Sequence, residues 1–128
     1  MITKICTDID QSKKLAEILP HESADMSYRP YREEGGIPDY ESDLCPYRFA
    51  SWCGFPCWSL AALLNVIPVT CDDGKHCLSL INSNPNGNVD WLCCYEDCNG
   101  NLLMECYGIN QVDACYEMIL KLHEQKLL

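Results

Sequence analysis

Residues 89–107 read VDWLCCYEDCNGNLLMECY, and this stretch decides the fold, because two runs of strand-forming residues flank Asn99-Gly100. Asn-Gly is the strongest short signal for a two-residue hairpin turn, since both residues tolerate the left-handed backbone of that turn. Such a turn pairs Asp97 with Leu102 and Cys93 with Cys106. One face of the hairpin then carries Trp91, Cys93, Tyr95, Leu102, Met104 and Cys106. The other face carries Asp90, Leu92, Cys94, Glu96, Leu103, Glu105 and Tyr107. The pattern predicts a core face and a solvent face.

A third strand is predicted upstream, at residues 76–82, where the period is again two. Asn86-Gly87 marks the turn that joins it to the hairpin. Carrying the register through this turn places His76 across from Asp97, and Leu78 and Leu80 on the core face. The three strands form an antiparallel meander.

In the sequence, two helices are predicted before the meander and one after it. Asp8 or Asp10 can cap a first helix that Pro20 ends. A second, residues 57–66, has Pro56 at its first turn and is apolar nearly all round, and a third, about 111–125, follows Asn110 as its cap. Residues 20–55 are a long irregular loop with a possible strand near 24–28. The prediction is one α+β domain over residues 1–128: a three-stranded antiparallel meander with two to three helices packed on one face.

Charge and composition exclude several classes of function. The net charge is −10, which argues against nucleic-acid and anionic-membrane binding because both need a basic footprint. The first residues lack the apolar run of a secretory signal, and we expect a cytoplasmic protein. Glycine-rich phosphate loops are absent, so no cofactor is predicted.

Eleven cysteines are the anomaly of the composition. Their number is odd and the core suffices without disulfides, so in a reducing compartment most are expected to be small buried hydrophobes. No pair among residues 71–98 has the Cys-x2-Cys spacing of a zinc knuckle, and no metal site is predicted. Cys93 and Cys106 face each other closely enough for a disulfide under oxidation.

Three blocks of sequence carry a resemblance. They are CT at 6–7 with QSKKL at 11–15, PCWSLAALL at 56–64, and NQVDACYEMI at 110–119. Together they resemble an uncharacterised family of small proteins carried by prophages and mobile elements of gut bacteria. The resemblance covers both ends and the middle helix but not residues 20–55. It implies an accessory role and no particular activity.

One enzymatic hypothesis rests on Cys57 and His76. Residues 53–58, CGFPCW, are similar to the Cys-Gly-x-Cys-Trp signature of papain-like cysteine proteases, with one residue inserted. At the start of a buried helix, Cys57 would have its thiol activated by the helix dipole, with His76 as base and Asp97 as the orienting group. The separation of 19 residues is much shorter than in papain-like enzymes, and no Gln precedes the Cys at the oxyanion position. The alternative is a packed Cys and a surface His.

The leading functional prediction is non-enzymatic. Between residues 68 and 118 there are eight acids and one base, a net charge of −7. If exposed, the carboxylates of Asp90, Glu96, Asp97 and Glu105 would form an acidic face that attracts a basic host or phage protein. The oligomeric state is left open, and ordinary solubility charge is the alternative.

Overall fold

The computed structural model describes residues 4–31, 39–46, 55–82 and 90–128. For residues 29–31 and 39–46 the description covers the backbone and not the side chains. The chain, predicted as one α+β domain, divides into two compact units, each with its own antiparallel sheet. Residues 5–62 form the first unit, and residues 63–128 with the amino-terminal residues form the second. Within the described ranges, no helix is long and apolar enough to cross a membrane.

The first unit begins with a helix and continues into strands. Its elements are α1 (Ile9–Ile18), a 3-10 turn (His21–Ser23), β1 (Met26–Tyr31), β2 (Asp39–Pro46) and β3 (Phe55–Cys57), and the strands are ordered β2-β1-β3. Asp8 caps α1 as predicted: its carboxylate accepts from the Gln11 amide at 2.8 Å, and the Gln11 side chain accepts from the Asp8 amide at 3.1 Å. The irregular loop predicted for residues 20–55 is corrected, because two paired strands lie within it.

The second predicted helix starts later than expected. Cys57 was predicted in its first turn but is the last residue of β3, opposite Met26, and α2 covers Leu60–Val66. Ser59 explains the difference, because its hydroxyl accepts from the Ala62 amide at 3.2 Å, as an N-cap residue does. Asp25 fixes Ser59 in turn by accepting from both its amide and its hydroxyl.

The second unit contains the meander and one strand more. Its elements after α2 are β4 (Thr70–Cys71), β5 (His76–Asn82), β6 (Trp91–Glu96), β7 (Leu102–Gly108) and α3 (Gln111–Glu124), with strand order β4-β5-β6-β7. The three-stranded meander is therefore β5-β6-β7 of a four-stranded sheet. Cys77 lies opposite Glu96 and Leu80 opposite Cys93, so the register carried through Asn86-Gly87 is confirmed. The turn itself lies outside the described residues.

The second hairpin departs from prediction at its turn. Cys93 pairs with Cys106 and Tyr95 with Met104 as predicted, but Glu96, not Asp97, lies opposite Leu102. β7 therefore holds one extra residue, a bulge. Leu102, predicted for the core face, is 46% exposed in consequence.

The helix α3 packs against β6 and β7 and buries one face of the meander. From α3 come Val112, Ala114, Cys115, Met118, Ile119 and Leu122, all buried, against the buried Cys93, Tyr95 and Met104 of the strands. Of the two to three helices predicted on one face of the meander, α3 is thus shown to pack there. The Asn110 side chain caps the helix by accepting from the Asp113 amide at 2.8 Å.

Candidate functional site

The side of β5, β6 and β7 opposite α3 is called the open face. Strand alternation gives it Cys77, Ser79, Ile81, Leu92, Cys94, Glu96, Glu105 and Tyr107. These strands contain no Lys or Arg. Lys121 of α3 approaches β7, but its ammonium donates to the Glu105 carbonyl at 3.3 Å and not to a carboxylate.

A row of apolar side chains crosses the open face. Ile81 lies directly opposite Leu92, and Leu92 directly opposite Tyr107, so three neighbouring strands each contribute one large side chain. Ile81 is 42% exposed and Tyr107 54%, and Leu92 between them is partly buried. This set is called the apolar row. Soluble domains carry scattered exposed apolar residues as a matter of course, but contiguous ones mark interaction sites.

Carboxylates border the apolar row. Glu105 is exposed and neighbours Tyr107, whose hydroxyl lies 3.5 Å from its carboxylate. Asp90 is exposed and precedes Leu92 by two residues, so alternation places it on the same face beyond the row. Glu96 is partly buried and accepts from the Ser79 hydroxyl at 3.0 Å. Of these predicted partner-binding residues, Asp90 and Glu105 are thus the more accessible.

The carboxylates of the open face raise the pKa of two neighbouring groups. Glu105 raises the pKa of the Tyr107 hydroxyl, because a second negative charge next to the carboxylate is unfavourable. At the centre, burial raises the pKa of the Cys94 thiol, and Glu96 and Glu105 raise it further. Cys94 was predicted on the solvent face and is fully buried there, a small side chain in the central strand.

Asp97, the fourth predicted partner-binding residue, is engaged in the turn. Its carboxylate accepts from the amides of Asn99 and Asn101, each at 2.9 Å, and from the Asn101 side chain at 3.1 Å. These Asn101 hydrogen bonds, and in smaller part the nearby His76, lower the pKa of Asp97. The geometry gives this carboxylate a structural role in shaping the turn.

The residues of the enzymatic hypothesis are partly brought together. Cys77 pairs with Glu96, which brings their neighbours His76 and Asp97 near each other, and His76 Nδ1 lies 3.6 Å from an Asp72 carboxylate oxygen. Cys57 is fully buried, and because it lies in a strand no helix dipole activates its thiol. It also belongs to the other compact unit.

Cys57 lies in a buried cluster around the Tyr28 hydroxyl. That hydroxyl donates to the Thr7 carbonyl at 2.8 Å and is 3.7 Å from the Cys6 sulfur. The Thr7 hydroxyl accepts from the Trp58 amide at 3.1 Å and is 2.8 Å from the Ser12 hydroxyl. Burial, and then the adjacent thiols, raise the pKa of Tyr28 well above its usual range. Neutral, mutually satisfied groups of this kind tie β3 to the segment before α1 and specify packing.

The other described thiols differ in their exposure. Nine of the eleven cysteines are described; five are buried, two partly buried, and Cys77 and Cys98 exposed. Cys93 and Cys106 are opposite each other as predicted, but both are free, and the Cys93 thiol hydrogen-bonds to Cys115 of α3. Among the described residues, no group of three or more Cys, His, Asp and Glu side chains could hold a metal ion.

Comparison with known proteins identifies no relative of this chain. No family model, no curated protein and no solved structure matches the chain. The resemblance to a prophage family stays a prediction. The apolar row is the feature that sequence reasoning missed, although its register had already put Leu92 and Tyr107 on the solvent face.

Proposed function

We propose that this chain is a non-enzymatic accessory protein, of the kind that phages and mobile elements carry, and that it binds a basic protein through its open face. The observation that supports the proposal is the exposed apolar row, which carboxylates border on three strands that contain no Lys or Arg. Covering apolar surface contributes about 25 cal/mol per Å² removed from water, which provides affinity. The carboxylates accelerate encounter with a basic surface and disfavour acidic partners such as nucleic acids.

The cysteine hydrolase with Cys57, His76 and Asp97 has no comparable support. Its thiol needs both an activating environment and access for substrate. Cys57 has zero exposure and lies in a strand, and Asp97 is engaged in a turn. The binding function is therefore the better supported of the two.

The test is capture of partners from host and phage-infected lysates on immobilised protein. Three baits are compared: the natural chain, Asp90→Lys with Glu105→Lys, and Glu124→Lys. Glu124 is an exposed residue at the end of α3, whose other face packs on the sheet, so it controls for a charge change outside the open face. Glu96 is avoided because it is partly buried and accepts a hydrogen bond from Ser79 at 3.0 Å, so that reversing its charge would also disturb the sheet.

The proposal expects a partner retained by the natural chain and by Glu124→Lys and lost from the double variant. Its association rate should fall as salt is added, because the attraction between exposed charges is screened. Equal retention on all three baits, or no retained partner, contradicts it.

A further inference from the structure

We infer that the segment of the partner that binds the open face is a basic amphipathic helix lying across β5, β6 and β7 along the apolar row. The inference rests on the proposed function and specifies the chemistry and geometry of the partner. Three observations support it: the spacing of the apolar row, the positions of the carboxylates around the row, and the absence of Lys and Arg from the three strands.

The spacing of the apolar row fits a helix. Neighbouring strands are about 4.8 Å apart, so Ile81, Leu92 and Tyr107 present apolar groups at about 4.8 Å intervals over about 10 Å. Along a helix, residues three and four apart rise by about 4.5 and 6 Å, and residues seven apart by about 10.5 Å. Two turns of a helix thus place an i, i+3 or i+4, i+7 stripe along the row.

An extended segment fits less well. Its same-side residues recur every 6.6–6.8 Å or so, and three of them would overshoot a row of this length by about one strand spacing. Lying on the open face, it would also leave its backbone amides and carbonyls without partners. A helix satisfies those groups internally and presents only side chains.

The carboxylates define the polar flanks of that helix. Asp90 lies directly before β6, two residues before Leu92, and Glu96 ends β6, four residues after Leu92. Glu105 is opposite Cys94, on the same side of the row as Glu96. Acids therefore lie on both sides of the apolar row, at about 7 Å per two residues. Lys or Arg flanking the apolar stripe of the helix on both sides would meet them, which is the pattern of a basic amphipathic helix.

The experiment uses three synthetic, end-capped 15-residue peptides and the full chain. The helix probe has leucines at i, i+3, i+4 and i+7 with lysines on both flanks. The strand probe has the same composition with leucine and lysine alternating. The acid probe is the helix probe with glutamate in place of every lysine. Binding is measured by titration calorimetry, and the site by amide shifts of the labelled protein.

Variants of the chain localise the binding. Ile81→Ser with Tyr107→Ser shortens the apolar row at its two exposed ends. Leu127→Ser is the matched control, because Leu127 is a comparably exposed apolar residue near the carboxyl end and outside the open face. Unfolding midpoints show whether each variant keeps its fold.

The helix probe should bind about tenfold more tightly than the strand and acid probes, and shift the amides of β5, β6 and β7. The Ile81 and Tyr107 double variant should weaken it about tenfold, and Leu127→Ser should leave it unchanged. If the strand probe binds as well, or no probe binds on this face, the helical inference is overturned. The proposed function is tested separately by the lysate capture. That experiment measures whether partner retention depends on Asp90 and Glu105, and it uses no peptide.

Discussion

Gly108, the last residue of β7, offers the sharpest test of how the second unit is packed. A Cβ at this position would overlap the Ala114 amide nitrogen and lie 2.7 Å from the Asp113 carbonyl carbon. The atoms it would meet belong to the backbone of α3, so no side-chain rotation can make room. Ordinary contact is about 3.5 Å, so Gly108→Ala requires strand and helix to separate by about 1 Å.

The start of α3 resists that separation. The Asp113 carboxylate accepts from Lys4 at 2.7 Å and from the Asn110 side chain at 2.9 Å, so its first turn is held on two sides. Overpacking of this kind costs about 1–3 kcal/mol, and because backbone must move we expect Gly108→Ala to lower the free energy of unfolding by about 2–3 kcal/mol. Urea denaturation measures the loss.

Gly100→Ala is the matched control for Gly108→Ala. Gly100 has a φ of +81° and no atom near its missing Cβ, so its cost is backbone strain alone, about 1 kcal/mol. A loss for Gly108→Ala of less than about 0.5 kcal/mol, or below that of Gly100→Ala, would show that α3 does not approach β7 so closely.

Three further predictions concern buried polar groups and thiols. Tyr28→Phe should lower the free energy of unfolding by about 1 kcal/mol in urea denaturation, because the buried Thr7 carbonyl loses its donor at 2.8 Å and keeps only the Ser12 hydroxyl at 3.4 Å; no loss would refute the Tyr28 hydrogen bond. Burial raises the pKa of Cys106 from 9.0 to about 11, so folding favours its neutral thiol: stability is full below pH 9 and falls as the pH rises toward 11. Cys106→Ala should reduce that alkaline loss, and an unchanged profile would contradict it. In alkylation of the native protein, Cys98 should react rapidly and Cys57 should not, and rapid labelling of Cys57 would revive the hydrolase.

Much of the meander could be predicted because local signals agreed there. Asn99-Gly100 and the period of two fixed which residues pair, and Cys93 opposite Cys106 followed directly. The turn itself could not be predicted. Asp97 accepts two backbone amides and so favours a longer turn that ends at Asn101, which adds a residue to β7 and exposes Leu102. An Asp before Asn-Gly is compatible both with a tight two-residue turn and with a longer turn held by its side chain, so the sequence does not decide between them.

The first unit was harder to predict, and Cys57 shows why. Pro56 is common both in the first turn of a helix and in an edge strand, so the residue alone does not decide between them. Ser59 was the missed signal, since it is a strong N-cap placed directly before an apolar run. The possible strand near 24–28 found part of β1, but the rest of β1 and all of β2 were missed because strands with charges and prolines lack simple alternation.

Part of the candidate site could be predicted from the sequence. Register placed Glu105, Leu92 and Tyr107 on the solvent face, and the confirmed pairings keep them there. The apolar row needs a third strand, since Ile81 completes it only through the pairing of β5 with β6. Whether Ile81, Leu92 and Tyr107 are neighbours depends on the register of β5 with β6 and on that of β6 with β7. A period of two along a single strand cannot show this.

The most direct test of the open face as a binding surface is a footprint of the captured partner on the isotopically labelled chain. Amide shifts are followed by NMR while unlabelled partner is added. If the partner binds the open face, the largest shifts lie around Ile81, Leu92 and Tyr107, with smaller shifts at Asp90 and Glu105 and none on the solvent side of α3. Largest shifts on α3 or within residues 5–62, with β5, β6 and β7 unaffected, would contradict it.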